Sequence, residues 1–154
     1  MKVSMKTDYA LRTLFTLVEH AGRGPIPIRE LARRNETPKK FLEHIMLDLK
    51  SQGWVDSLPG KNGGYVLARK PDKITMGQVV RLFEGVLSPI NCVSTTRYAR
   101  CSQEPVCRFR RLFLEIRNET AERMEKVTLA AVHAGLPVRR EEVFDPHLMA
   151  GAGI

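Results

Sequence analysis

The sequence predicts a mainly α chain with a small β-hairpin wing: a winged helix-turn-helix followed by a long dimerisation helix. Three observations carry that expectation. Apolar residues recur at helical spacing from Lys6 to about Gln52, in three segments separated by turn-forming residues. A glycine-rich turn, Pro59-Gly60-Lys61-Asn62-Gly63, then joins two short strand-like runs. From about Val106 a single apolar stripe continues to Val127, with charge on the opposite face.

The first helix is expected over Lys6–Ala21, where Ala10, Leu14, Leu17, Val18 and Ala21 share a face that Leu11 and Phe15 widen. Gly22-Arg23-Gly24-Pro25 stops it. A short helix follows, Ile28–Arg34, with Ile28, Leu31 and Ala32 inward and Arg29, Arg33 and Arg34 outward. Asn35-Glu36 makes the turn, and Thr37-Pro38 supplies an N-cap with proline at the first helical position. The third helix, Pro38 to about Gln52, is expected to bury Phe41, Leu42, Ile45 and Leu49. Its outer N-terminal face carries Lys39, Lys40, Glu43 and His44. Two short helices around a tight turn, the second opening on basic side chains, form a helix-turn-helix pattern. An αα-hairpin with solvated charges is the plainer alternative.

The next elements weigh against that alternative. Strands Trp54–Leu58 and Gly64–Ala68 flank a turn with Lys61 near its tip, and a basic hairpin directly after a helix-turn-helix is a wing. Trp54 and Tyr65 are expected at the wing's hydrophobic base. In such a domain the N-terminal end of the second helix enters the major groove. The candidate DNA contacts are therefore Arg29, Arg33, Thr37, Lys39, Lys40 and His44, with Lys61, Asn62 and Gly63 on the wing. Thr75-Met76-Gly77-Gln78 has capping-box spacing and opens a helix through Val79, Val80, Leu82 and Phe83 to Gly85.

An irregular loop with Pro89 and Pro105 follows, and it holds every cysteine of the chain: Cys92, Cys101 and Cys107. The long helix then carries Phe109, Leu112, Phe113, Ile116, Thr120, Met124 and Val127 on one face. A stripe without an evident partner in its own chain suits a symmetry mate, so Phe109, Phe113, Ile116 and Thr120 are expected at a C2 homodimer interface. The expected divisions are 1–86 for the winged domain, 87–107 for the cysteine loop, 106–134 for the dimerisation region and 135–154 for a partly ordered tail.

Composition bounds the function. Net charge is +8, with 14 Lys/Arg against 8 Asp/Glu in residues 1–75 and 11 against 9 in the remainder. The positive field thus sits on the winged half; it suggests a polyanionic partner, and an acidic membrane surface or simple solubility fits it almost as well. No apolar run is long enough to span a membrane and the N-terminus has no apolar signal core, so a cytoplasmic protein without membrane association is expected. An odd number of cysteines in such a chain points to a metal site or a redox thiol rather than a disulfide framework, although three unrelated buried thiols are the bland alternative. Cys-x-x-Cys and Ser-His-Asp patterns are missing, and His20, His44, His133 and His147 are scattered, so an enzyme is not expected. Tyr98 lies between two cysteines, where it either shields a bound group or simply packs.

Several segments together resemble the bacterial Rrf2 family of winged-helix regulators. They are Asp8-Tyr9-Ala10-Leu11-Arg12, Thr37-Pro38-Lys39-Lys40-Phe41-Leu42-Glu43, Gly60-Lys61-Asn62-Gly63-Gly64-Tyr65-Val66-Leu67-Ala68-Arg69, Phe83-Glu84-Gly85 and Thr128-Leu129. The similarity covers roughly residues 1–133. It implies a homodimer on pseudo-palindromic, double-stranded promoter DNA, acting as a repressor. It also implies an iron–sulfur cluster, 2Fe–2S or 4Fe–4S, held by Cys92, Cys101 and Cys107 and sensing iron, nitric oxide or redox state. One branch of the family takes a histidine three residues after the last cysteine as fourth ligand; that position here is Arg110. Another takes an acidic residue of the other subunit's first helix, which here is Asp8; an ordinary first-turn aspartate paired with Arg12 is the competing reading. The gap of eight residues between Cys92 and Cys101 is longer than in the best-known members, which leaves cluster type and sensed signal open; a regulator of the same fold with zinc or a bare-thiol redox switch is the alternative.

Overall fold

A computed structural model describes residues 2–144. Helices α1 (Met5–Glu19), α2 (Ile28–Arg34) and α3 (Lys39–Ser51) precede the antiparallel pair β1 (Val55–Leu58) and β2 (Gly64–Leu67). Helices α4 (Met76–Glu84), α5 (Phe109–Lys126), α6 (Leu129–His133) and α7 (Arg140–Val143) follow, with single 3₁₀ turns at Pro71–Lys73 and Asn91–Val93. The architecture is the expected winged helix-turn-helix with a long helix after it.

Helix α1 starts where the Ser4 hydroxyl accepts from the Thr7 amide. It buries Ala10, Leu14 and Leu17 against α3 and α4. It ends at Glu19, so Ala21 falls in the following turn and is exposed instead of closing the apolar face. The α2–α3 turn is fastened from within: buried Asn35 donates its Nδ2 to the Leu31 carbonyl at 2.9 Å, and Thr37 N–H reaches Ala32 O at 2.9 Å. Helix α3 buries Leu42, Ile45, Met46 and Leu49. Phe41, expected inside, is 39% exposed and lies edge-on to Tyr9. It sits about 100° round the helix from Leu42, off the core-facing stripe.

The wing pairs Val55 with Leu67 and Leu58 with Gly64. Its base is tied to the chain ahead of α2, because Ile26 and Tyr65 exchange backbone hydrogen bonds of 3.0 and 2.9 Å. Gly64 is needed there: a Cβ would stand 2.3 Å from the Ile26 carbonyl oxygen.

The helix after the wing has the predicted capping box, Thr75 with Gln78. Beyond it the structure departs from expectation. Helix α5 begins at Phe109, and Val106 belongs to the loop. No residue of α5 is buried, and Phe109 and Leu112 are 63% and 56% exposed. The stripe is nevertheless not partnerless throughout. Thr120, Ala121 and Met124 line a narrow crevice with Val80 and Arg81 of α4, and Arg81 pairs with Glu125. Thr120, expected at the dimer interface, also lines this crevice within its own chain.

The chain then returns to the winged core. Met76 N–H donates to Val127 O and Leu129 N–H to Ile74 O, both at 2.8 Å. The Leu129 side chain is fully buried, and His133 stacks on Phe15. The predicted tail 135–154 includes α7, while residues 145–154, His147 among them, lie outside the described residues. Among the described residues no helix is long and apolar enough to cross a membrane.

Candidate nucleic-acid interface and cysteine cleft

The expected DNA contacts lie on α2, the α2–α3 turn, α3 and the wing turn. Arg29, Lys40, His44, Lys61 and Asn62 are exposed, and Gly63 closes the wing turn through its N–H to Gly60 O at 3.0 Å. Lys39 is engaged by Glu43 at 3.2 Å. Glu30 holds both Arg33 and Arg34 at 2.7 Å, and those guanidinium hydrogen bonds pull its carboxyl down to about 2. Among the described residues no carboxylate forms an ion pair with Arg29, Lys40 or Lys61, so these cations keep their charge for an outside anion. Thr37 stands apart from the other candidates. It is only 6% exposed and its hydroxyl donates to Asn35 O at 3.1 Å, so it shapes the turn that presents Lys39 and Lys40.

The cysteine loop encloses a cleft of ≈ 410 Å³ against α5, lined by Cys92, Cys107, Tyr98, Glu104, Arg110 and Arg117, among others. Cys92 and Cys107 are half-buried, whereas Cys101 is exposed and outside the lining. All three thiols are free. Among the described residues no group of three His, Cys, Asp or Glu side chains is placed to hold a metal ion. The structure therefore gathers two of the three expected ligands. Asp8 lies on α1, paired with Arg12 at 2.7 Å, and does not line the cleft of its own chain.

Two arginines of α5 hold the loop. Arg110 directs Nε and Nη2 to the Cys92 carbonyl at 3.2 and 2.8 Å, and Arg117 reaches Val93 O at 2.8 Å. Glu104, which the sequence reading passed over, accepts from the Tyr98 hydroxyl at 2.9 and 3.0 Å and from Cys101 N–H at 3.4 Å. Hydrogen bonding to that carboxylate pushes the Tyr98 phenol above its ordinary range. A signal was available: Glu104 is the single acidic residue of the loop 87–107, three positions from both Cys101 and Cys107.

The loop's other end is anchored to α1. Glu84 accepts from Ser4 N–H at 2.8 Å and from the buried Thr7 hydroxyl at 2.5 Å. Burial opposes its ionisation, but those hydrogen bonds and nearby Arg97 prevail and hold the carboxyl below its usual value. Gly85 follows at φ +75°, and any Cβ there would meet the Thr96 side chain at 2.4 Å. The cysteine loop thus leaves the winged domain at the point where α4 is clamped to the start of α1.

Comparison with known proteins agrees with this architecture. A sequence model of the Rrf2 family, described as iron-dependent transcriptional regulators, matches residues 3–135. The chain is 38% identical over 120 residues to an Rrf2-like HTH-type transcriptional regulator of Rhodobacter capsulatus, covering 74% of this chain and 80% of that one. It is 33% identical over 129 residues to the HTH-type transcriptional regulator CymR of Bacillus subtilis, covering 84% and 87%. The solved structure of that protein, described as the global cysteine regulator, superposes with a TM-score of 0.73 at 31% identity, over 89% of this chain and 99% of that one. The structure of T. potens IscR matches with a TM-score of 0.66 at 26% identity, covering 90% and 94%.

Proposed function

We propose, for a chain that belongs to the Rrf2 family of transcriptional regulators, a dimeric repressor that binds promoter DNA and is controlled at its cysteine loop. The observation that carries the DNA reading is that Arg29 of α2, Lys40 of α3 and Lys61 of the wing turn are exposed and, among the described residues, form no ion pair. The N-terminal half of α3 enters the major groove with Lys39, Lys40 and His44, and the wing sets Lys61 and Asn62 against phosphate, with Gly63 holding the turn through its N–H to Gly60 O. Two copies joined along Phe109, Phe113 and Ile116 present two such sets of contacts, so the operator is pseudo-palindromic with half-sites about one helical turn, or a multiple, apart. It is a binding protein rather than an enzyme.

Control falls to Cys92, Cys101 and Cys107. Thiolates are soft donors suited to an iron–sulfur cluster or zinc, and Cys92 and Cys107 share the cleft with Arg110 and Arg117. The donors fit such a group in kind but not in place, because Cys101 stands outside the cleft. When bound, a 2Fe–2S or 4Fe–4S cluster would supply sensitivity to iron, nitric oxide or redox state; the family's iron-dependent description supports this reading. Asp8 of the other subunit is the candidate fourth ligand, and it would have to exchange Arg12 for that role. The exposed position of Cys101 favours a second reading, zinc or bare thiols as a redox switch.

Anaerobic purification with iron and sulfide analysis separates the two readings: a brown protein carrying both elements supports the cluster, and a colourless one the alternative. Operator affinity before and after metal removal or thiol oxidation then tests control itself. An allosteric coupling of ~1–3 kcal/mol would change DNA affinity ~5- to 150-fold. Equal affinity in every state would refute regulation at this loop.

A further inference from the structure

We propose that Tyr98, Glu104 and Arg110 form a latch that ties the cysteine loop to α5 and passes the state of the thiols to the dimerisation helix. The inference deepens the thiol-controlled reading above and rests on it.

The contacts are specific. Arg110, in the first turn of α5, forks onto the Cys92 carbonyl, and its Nη2 lies 3.5 Å from Glu104 Oε2. The Glu104 side chain is only 15% exposed and is further held by the Tyr98 hydroxyl and the Cys101 amide. One carboxylate therefore connects the backbone of the most distant thiol, Cys101, to the arginine that grips Cys92. Arg117, two turns along the same face of α5, repeats the grip at Val93.

The geometry gives the latch a direction. Cys101 stands outside the cleft that Cys92 and Cys107 share. Any group or bond that joins Cys101 to those thiols must draw it inward, and its N–H is then pulled off Glu104. Glu104 loses a donor and closes more fully on Arg110, whose guanidinium cannot serve Glu104 and the Cys92 carbonyl in unchanged geometry. Arg110 is flanked by Phe109 and lies three residues before Phe113. A shift of the first α5 turn thus moves the apolar face on which the second copy would sit.

The test compares Tyr98→Phe, Glu104→Gln, Arg110→Met and the Glu104→Gln/Arg110→Met double variant with the wild type. Each is measured on the chain's own upstream DNA in three states: anaerobic as purified, chelator-treated and reduced, and diamide-oxidised. Wild type should change affinity by at least about fivefold between the reduced state and one of the others. In Glu104→Gln and Arg110→Met that change should shrink to within about twofold, while the reduced proteins keep near-wild-type affinity. The double variant should lose no more than either single one, since the pair acts as a unit. Tyr98→Phe removes only an exposed hydroxyl, so it decides the matter if a charge variant fails to fold; it should weaken the response. A wild type that does not respond at all sinks thiol control and the latch with it. A responsive wild type with equally responsive variants overturns the latch alone.

Discussion

Lys40 and Lys61 illustrate how much a single ion pair decides. Both are exposed cations without a carboxylate partner among the described residues, whereas Lys39 and Arg33 are engaged by Glu43 and Glu30. Lys40→Ala and Lys61→Ala should each reduce the slope of log affinity against log salt by about one unit, measured by anisotropy over a salt series. Lys39→Ala should do less. Glu30 provides the converse test. Its folded-state carboxyl is lowered from 4.5 to about 2, so its ionised contribution is complete above the unfolded value and is lost only as pH falls towards 2. Lowering the pH from 7 to 5 should therefore leave Arg33 and Arg34 masked. Glu30→Gln should unmask them, raising DNA affinity and steepening the salt slope. An unchanged slope in Glu30→Gln would mean that neither arginine reaches DNA.

At the level of elements, the junction between α5 and the winged core is the part with the clearest energetic consequence. Thr75 and Thr128 bridge, Leu129 N–H bonds Ile74 O, and the Leu129 side chain is fully enclosed with Ile74 and Val79. Leu129→Ala should cost ~2–5 kcal/mol by lost burial and a residual cavity, read as a fall in denaturant midpoint at constant m. Because Leu129 follows α5 directly, the loss should also weaken the attachment of that helix. The α5 stripe divides into two functions. Its C-terminal half packs on α4 at Thr120 and Met124, while Phe109 and Phe113, edge-on at 6.1 Å, are the proposed contact with a second copy. Phe113→Glu should yield a monomer by light scattering and abolish tight operator binding, since two half-sites can no longer be engaged together. Thr120→Glu should disturb the α4 contact, and with it thermal stability, more than assembly.

For the whole molecule, the loop 87–107 is suspended between two anchors: Glu84–Gly85 against α1, and Arg110 and Arg117 on α5. Under the proposed function, a change at the thiols would reach the proposed DNA face by either anchor, because α1 packs on α3 and α5 returns to the core at Leu129. Asp8→Ala separates the routes. If Asp8 of one copy ligates a cluster of the other, the variant should lose or alter its visible spectrum while remaining dimeric. An unchanged spectrum removes Asp8 from the site and leaves its Arg12 pair as its role.

Local rules sufficed for much of this chain. The three helices, the wing and the Thr75 capping box were legible because helical periodicity, turn residues and caps act over a few neighbouring positions. The concentration of charge in the first half and the clustering of the cysteines were legible as well, since they are properties of order along the chain. Phe41's exposure, the Ile26–Tyr65 tie, the return of Leu129 into the core and the use of Thr120 within the chain were not. Each depends on where a distant segment lies, and the same apolar stripe can cover a neighbour in its own chain or a face of another copy. The cleft shows the limit most plainly. Spacing could mark three thiols and an acid in one loop, but only packing against α5 determined that Arg110 grips Cys92, that Glu104 joins it to Cys101, and that two thiols face the cleft while the third does not.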